Sequence, residues 1–163
     1  MKENGKQHIL AGFSGSQASL TALRWAIDEA RLRQADLQVV RVWDPARHAA
    51  PYASAGQRPA CDEQETAVRA GLAAAMRAAF GPAVPDGVSA EVSQGRPERV
   101  LVARSATADL LVIGEAKPPW RAGQPAGPVV RACLAHASCP VVIVGSAVGQ
   151  PTPARWTLAD ALA

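Results

Sequence analysis

A single α/β domain with helices on both faces of a parallel sheet is the fold that this 163-residue sequence predicts. Short apolar runs alternate along the chain with longer stretches of helical periodicity; 36–43 is rich in β-branched residues and 109–113 is close to continuously apolar, as strands covered on both faces are. The length suits one ordinary domain and is too small for two substantial cores.

The first run, 8–13, reads as a strand and 16–34 as a helix. Leu20, Leu23, Ala26, Ile27 and Ala30 fall on one face of that helix, and Ser16 is its expected N-cap. Residues 36–43 hold Leu37, Val39, Val40 and Val42 and form a second strand, ended by Pro45. Residues 44–61, rich in Ala, Pro and Gly, have no periodicity and are expected to form a long loop. They are not a linker, because neither side completes a core alone. An Ala-rich helix over 62–80, capped at or near Asp62, stops at Gly81-Pro82. A short strand over 88–92 follows, and a helix entered at Pro97 runs to about residue 107. Asp109-Leu-Leu-Val-Ile113 is the strongest buried strand, closed by Gly114. After a loop over 115–126 come a helix over 128–136 and a last strand over 140–144. Right-handed crossovers in such a fold put ligands at the carboxyl ends of the strands, where the strand order reverses.

Lys and Arg number 17 against 14 Asp and Glu, a net charge of +3, and the basic residues are scattered, which argues against a nucleic-acid partner. No apolar run reaches membrane-spanning length, so no membrane role is expected. The amino-terminal residues lack the apolar region and small-residue cleavage site of a secretory signal. Cys61, Cys133 and Cys139 are odd in number and form no CxxC pair, which suggests neither a disulfide framework nor a zinc site. A reducing, cytoplasmic location is the expectation, with Cys133 and Cys139 as inert thiols in apolar surroundings.

Four segments together resemble the universal stress protein family over about residues 8–144. Ile9-Leu-Ala-Gly-Phe-Ser-Gly-Ser16 with Ser19 is similar to the family's first strand and its Asp-Gly-Ser turn, and Ala35-Asp-Leu-Gln-Val-Val-Arg-Val-Trp43 to its second strand. Gly95-Arg-Pro97 followed by Ala108-Asp-Leu-Leu-Val-Ile-Gly114 resembles the fourth-strand block, and His136-Ala-Ser-Cys-Pro-Val-Val-Ile-Val144 the closing strand. The resemblance implies a three-layer, doubly wound, Rossmann-like five-stranded parallel sheet of order 3-2-1-4-5, a domain over 1–145 and a tail over 146–163. It implies further a non-enzymatic stress-response or regulatory protein, a homodimer paired through the strand from Pro140 to Val144, and an adenine nucleotide as ligand: ATP, with magnesium if it is bound. Carried over residue by residue, its nucleotide site comprises Gly12, Phe13, Ser14, Val42, Gly114, Lys117, Arg121, Gly127, Pro128 and Val129.

The nucleotide binders of that family carry, after the fourth strand, Gly, two residues, Gly, nine residues, then Gly and Ser or Thr. Glycines let backbone approach phosphates, and the final pair opens a helix whose N–H groups favour an anion. The same spacing here gives Gly114, Lys117, Gly127 and Pro128. Pro128 supplies neither hydroxyl nor N–H. Lys117 in place of Gly costs about 1–2 kcal/mol where the backbone must be left-handed. Ser14 stands where the family has an Asp acceptor, a loss of about 1–2 kcal/mol. Lys117 and Arg121 add two cations in return, or are solvated loop residues. The implied cleft is therefore a degenerate form of an ATP site.

Two alternatives stand beside this reading. The first keeps the fold without any nucleotide, acting through dimer or protein contacts. The second is a pyrophosphate-loop ATP-using enzyme, suggested by Ser14-Gly-Ser-Gln-Ala-Ser19 but weakened by Ser16 and Ala18 where that loop has Gly and Asp. His8, His48 and His136 do not form a nucleophile–base set, and no HExxH, GxSxG or Walker-type motif is present. Trp25 and Trp43 read as core residues. Trp120 covers a ligand or shields the cleft, and Trp156 with Leu158 and Leu162 makes the tail a short amphipathic element docking on its own domain or a dimer partner.

Overall fold

The structure, a computed structural model, describes residues 5–45, 61–115 and 126–145. The elements run β1 (His8–Gly12), α1 (Gln17–Arg33), β2 (Asp36–Trp43), α2 (Cys61–Phe80), β3 (Val88–Gln94), α3 (Pro97–Ser105), β4 (Leu110–Glu115), α4 (Pro128–His136) and β5 (Val141–Gly145). All neighbouring strands pair in parallel in the order β3-β2-β1-β4-β5. The Rossmann-like class and the strand order are those expected from the sequence. The strand order reverses between β1 and β4.

Alternation along the buried strands divides the core in two. Ile9, Ala11, Leu37, Val39, Leu110 and Val112 face α1 and α2, where they pack on Ala22, Leu23, Ala26, Ile27, Leu72 and Met76. Leu10, Val40, Leu111 and Ile113 face α3 and α4, against Leu101, Val130 and Cys133. Trp43 is buried, and Trp25 packs on the first cluster from a half-buried position, so both serve the core as expected.

Ser16 caps α1 as expected: its Oγ accepts from Ser19 N–H at 3.2 Å, and Ser19 Oγ donates to Ser16 C=O at 2.8 Å. Most boundaries fall within a residue or two of expectation, and three differences are instructive. The backbone is already helical at Cys61, so Asp62 lies inside α2 and is not its cap. The short strand extends to Gln94, because pairing with β2 continues to Trp43. Gly114 does not end β4, since the ladder with β5 carries on through Gly114 and Glu115, opposite Val144 and Gly145. Residues 46–60, 116–125 and 146–163 lie outside the described residues. So do most of the expected long loop, Lys117, Arg121, Trp120 and the tail.

Candidate functional site

At the carboxyl ends of the strands, beside the switch between β1 and β4, lies a hollow of about 250 Å³. Gly12, Phe13 and Ser14 line it from the end of β1, Val40 and Val42 from β2, and Ile113 and Gly114 from β4. Ser19, Pro97, Leu101 and Val129 contribute from α1, α3 and α4. Six residues picked out in the sequence thus meet in one place: Gly12, Phe13, Ser14, Val42, Gly114 and Val129. Gly127 and Pro128 stand beside it, as the N-cap and first residue of α4.

Three larger hollows exist among the described residues. One, of about 380 Å³, lies at the amino ends of β2 and β3 beside Lys6 and Phe80. A second, also of about 380 Å³, lies by His8, Asp36 and Ser89 at the amino ends of the strands. The third, of about 550 Å³, runs between α2 and the outer strand β3. Size makes none of them the candidate. None adjoins the strand-order reversal, where free carboxyl strand ends and helix starts converge.

Local backbone demands shape the cleft. A Cβ on Gly12 would stand 3.0 Å from Leu101 Cδ1 and 3.2 Å from Ile113 Cγ2, so glycine keeps the floor open. The turn after β1 passes through Gly15 at φ +85°, a left-handed geometry that glycine adopts without strain. Ser14 Oγ donates to Ser16 Oγ at 2.9 Å and accepts from Ser16 N–H at 3.4 Å, so the hydroxyl standing where the family has Asp is engaged within its own turn.

Three polar groups around the cleft were not legible as site residues. Ser19 is a buried wall residue whose hydroxyl is bound to the Ser16 carbonyl. Arg41 lines an adjoining hollow of about 200 Å³ that shares Ser14, Val42 and Pro97 with the first. Its guanidinium lies 5.8 Å from the Phe13 ring centre and donates to Val68 C=O at 3.3 Å. Burial pushes the Arg41 guanidinium down from its ordinary value, yet an arginine remains charged at neutral pH. The third is Glu115. Gly127 N–H donates to Glu115 Oε2 at 2.9 Å, which places a carboxylate at the start of α4. The only sequence signal for Glu115 was its place directly after Gly114.

Cysteine chemistry is absent from the cleft wall. Cys133 is fully buried on the inner face of α4, and burial, reinforced by the neighbouring Cys139, pushes its thiol up to about 11. Burial and then the nearby Asp109 carboxylate raise Cys139 as well. Both are protonated and weakly nucleophilic at neutral pH.

The architecture defines a doubly wound α/β protein with a cleft at the switch point. Residues 6–145 match the model of the universal stress protein family, and the chain belongs to that family. It is similar to universal stress protein Rv3134c of Mycobacterium tuberculosis, 31% identical over 143 residues, which are 88% of this chain and 50% of that protein. The chain therefore spans about half the length of the curated relatives it matches. Among solved structures, UspA of Lactobacillus plantarum matches with TM-score 0.63 and 24% identity, covering 86% of this chain and 99% of that one. A universal stress protein in complex with cAMP matches with TM-score 0.60 and 21% identity, covering 88% and 99%. At these identities the two structures show the shared fold. No helix among the described residues is long and apolar enough to cross a membrane.

Proposed function

We propose that this chain is a stress-response or regulatory binding protein whose carboxyl-end cleft takes an adenine nucleotide through base and sugar, with a weakened hold on phosphate and no efficient catalytic cycle. The observation that carries this is the convergence of Gly12, Phe13, Ser14, Val42, Gly114 and Val129 around one 250 Å³ hollow at the switch point. Its walls are Phe13, Val40, Val42, Leu101 and Ile113, apolar surface suited to a flat heterocycle. The cAMP bound by one structural neighbour is a ligand of this class. At α4, Pro128 offers no N–H to a phosphate and Gly127 N–H is held by Glu115.

The test is direct. Purified protein, heated and its supernatant chromatographed, is expected to release an adenine nucleotide or, if it purifies empty, to give binding heat with AMP or cAMP by calorimetry. No release, and no heat with any adenine nucleotide or with adenosine at millimolar concentration, overturns the reading.

The sheet edge supports a reading of the assembly. β5 closes the sheet on the side of β4, and Val141, Val142, Ile143 and Val144 remain only half-buried. An apolar edge strand of this kind is covered by pairing. A homodimer joined through the strand from Pro140 to Val144 is the expected state. Light scattering at micromolar concentration and moderate salt checks it, and a strictly monomeric mass refutes it.

A further inference from the structure

We propose that Glu115 is a specificity-determining residue: its carboxylate occupies the anion position at the start of α4, so the cleft selects adenosine and singly charged nucleotides against polyphosphates. This rests on the adenine-cleft reading above. Glu115 stands at the end of β4, paired with Gly145, two residues beyond Ile113 and so on the face of the sheet that Ile113 shares with α4. From there Oε2 accepts the Gly127 N–H at 2.9 Å. A Cβ on Gly127 would stand 3.0 Å from the same oxygen, which shows how closely the carboxylate is seated against the helix start.

Among the described residues the helix has no capping side chain of its own at that end. Gly127 has no capping side chain, the first turn holds no acidic residue, and Pro128 fills the first position without an N–H. A carboxylate there gains from the same free donors and positive helix end that would attract a phosphate. Val129, in that same first turn, lines the 250 Å³ cleft, so an anion at the helix start lies beside a ligand in the cleft. A phosphate brought to this point must displace the Glu115 carboxylate or stand next to it, and like charges in contact at a partly buried site repel strongly. The penalty grows with each added phosphate charge and is absent for an uncharged nucleoside.

Calorimetry with adenosine, AMP and ATP, each without and with magnesium, on the full chain and on Glu115→Gln tests this. The glutamine keeps an oxygen to accept the Gly127 N–H and removes the charge, so the fold is retained; a thermal melt verifies that. The wild-type chain is expected to bind adenosine at least as tightly as AMP and ATP more weakly than either. In Glu115→Gln, ATP affinity is expected to rise about tenfold while adenosine changes by less than about twofold. Glu115→Ala, which also frees the Gly127 N–H, is expected to show the same order. If adenosine binds and the ratio of ATP to adenosine affinity is unchanged in both variants, the selectivity proposal fails and the cleft reading stands. If no ligand binds to any of the proteins, both fail together.

Discussion

Gly114→Ala is expected to destabilise the protein by about 3 kcal/mol, because the added methyl has no room beside α1. Its Cβ would overlap the carbonyl carbon and oxygen of Ala18 and stand 2.6 Å from Ser19 N. These are backbone atoms in the first turn of a helix whose buried face carries Ala18, Ser19, Ala22 and Leu23, so no side chain can swing aside. Relief needs α1 to lift from β4 or β4 to bend, and either opens packing that spans the two most central strands. For a domain of this size the loss lowers the melting temperature by about 6–12 °C. Gly127→Ala is the control. Its new methyl meets only the end of the Glu115 side chain, at 3.0 Å, and its φ of −58° suits alanine, so it should cost less than about 1 kcal/mol. Equal melting temperatures for Gly114→Ala and wild type would show that the close approach of β4 to α1 is not what glycine serves there.

That glycine also shows where sequence reading stops. Within an apolar run Gly reads as a terminator, so the strand was expected to close at Gly114. The physical reason for the glycine is instead a helix crossing close to a continuing strand, a tertiary contact with no local signature. The consequence reaches the site, because only a strand that continues to Glu115 carries that carboxylate to the start of α4. The buried strands are legible because parallel strands covered on both faces are rich in apolar and β-branched residues, and β2 spans the residues the sequence predicts, Asp36–Trp43.

The cleft divides in the same way. Gly12, Phe13, Ser14, Gly114 and Val129 sit where turn chemistry and family spacing point, at strand ends and a helix start, and Val42 near the end of its strand. Pro97 and Leu101 belong to α3, which covers the same face of the sheet through a crossover from β3, and no spacing in the sequence reports which of its residues close the cleft. Arg41 interrupts an apolar strand, and its strand neighbours Val40 and Val42 gave no hint of what it meets. The guanidinium fits because Gly15 and Gly71 leave room for it; a Cβ on Gly71 would collide with Nη1. A charged group in a buried strand is thus explained by two small residues 26 and 30 positions away.

The largest expected gain in binding comes from restoring the family's nucleotide-site residues. The triple change Ser14→Asp, Lys117→Gly, Pro128→Ser is expected to tighten ATP binding roughly thirty- to a thousandfold, about 2–4 kcal/mol. Aspartate at 14 supplies a charged acceptor at the cleft edge, and it can still accept the Ser16 N–H that Ser14 Oγ now accepts at 3.4 Å, so the turn is kept. Glycine at 117 restores the residue type that the family's loop places near phosphate, at the loss of one cation that offsets part of the gain. Serine at 128 restores both an N–H and a hydroxyl at the first position of α4, which proline now occupies. Glu115 is untouched by these changes and continues to hold the neighbouring Gly127 N–H, which puts the triple variant toward the lower end of the range. Adding Glu115→Gln to the triple variant should move it upward by a further factor of about ten, because the carboxylate charge it removes adjoins the helix start that Pro128→Ser reopens to phosphate. Titration calorimetry with ATP and magnesium at fixed salt reads both steps. Unchanged or weaker ATP affinity in a folded triple variant would mean that Ser14, Lys117 and Pro128 do not govern the cleft, and the nucleotide-site residues carried over from the family would have to be reassigned.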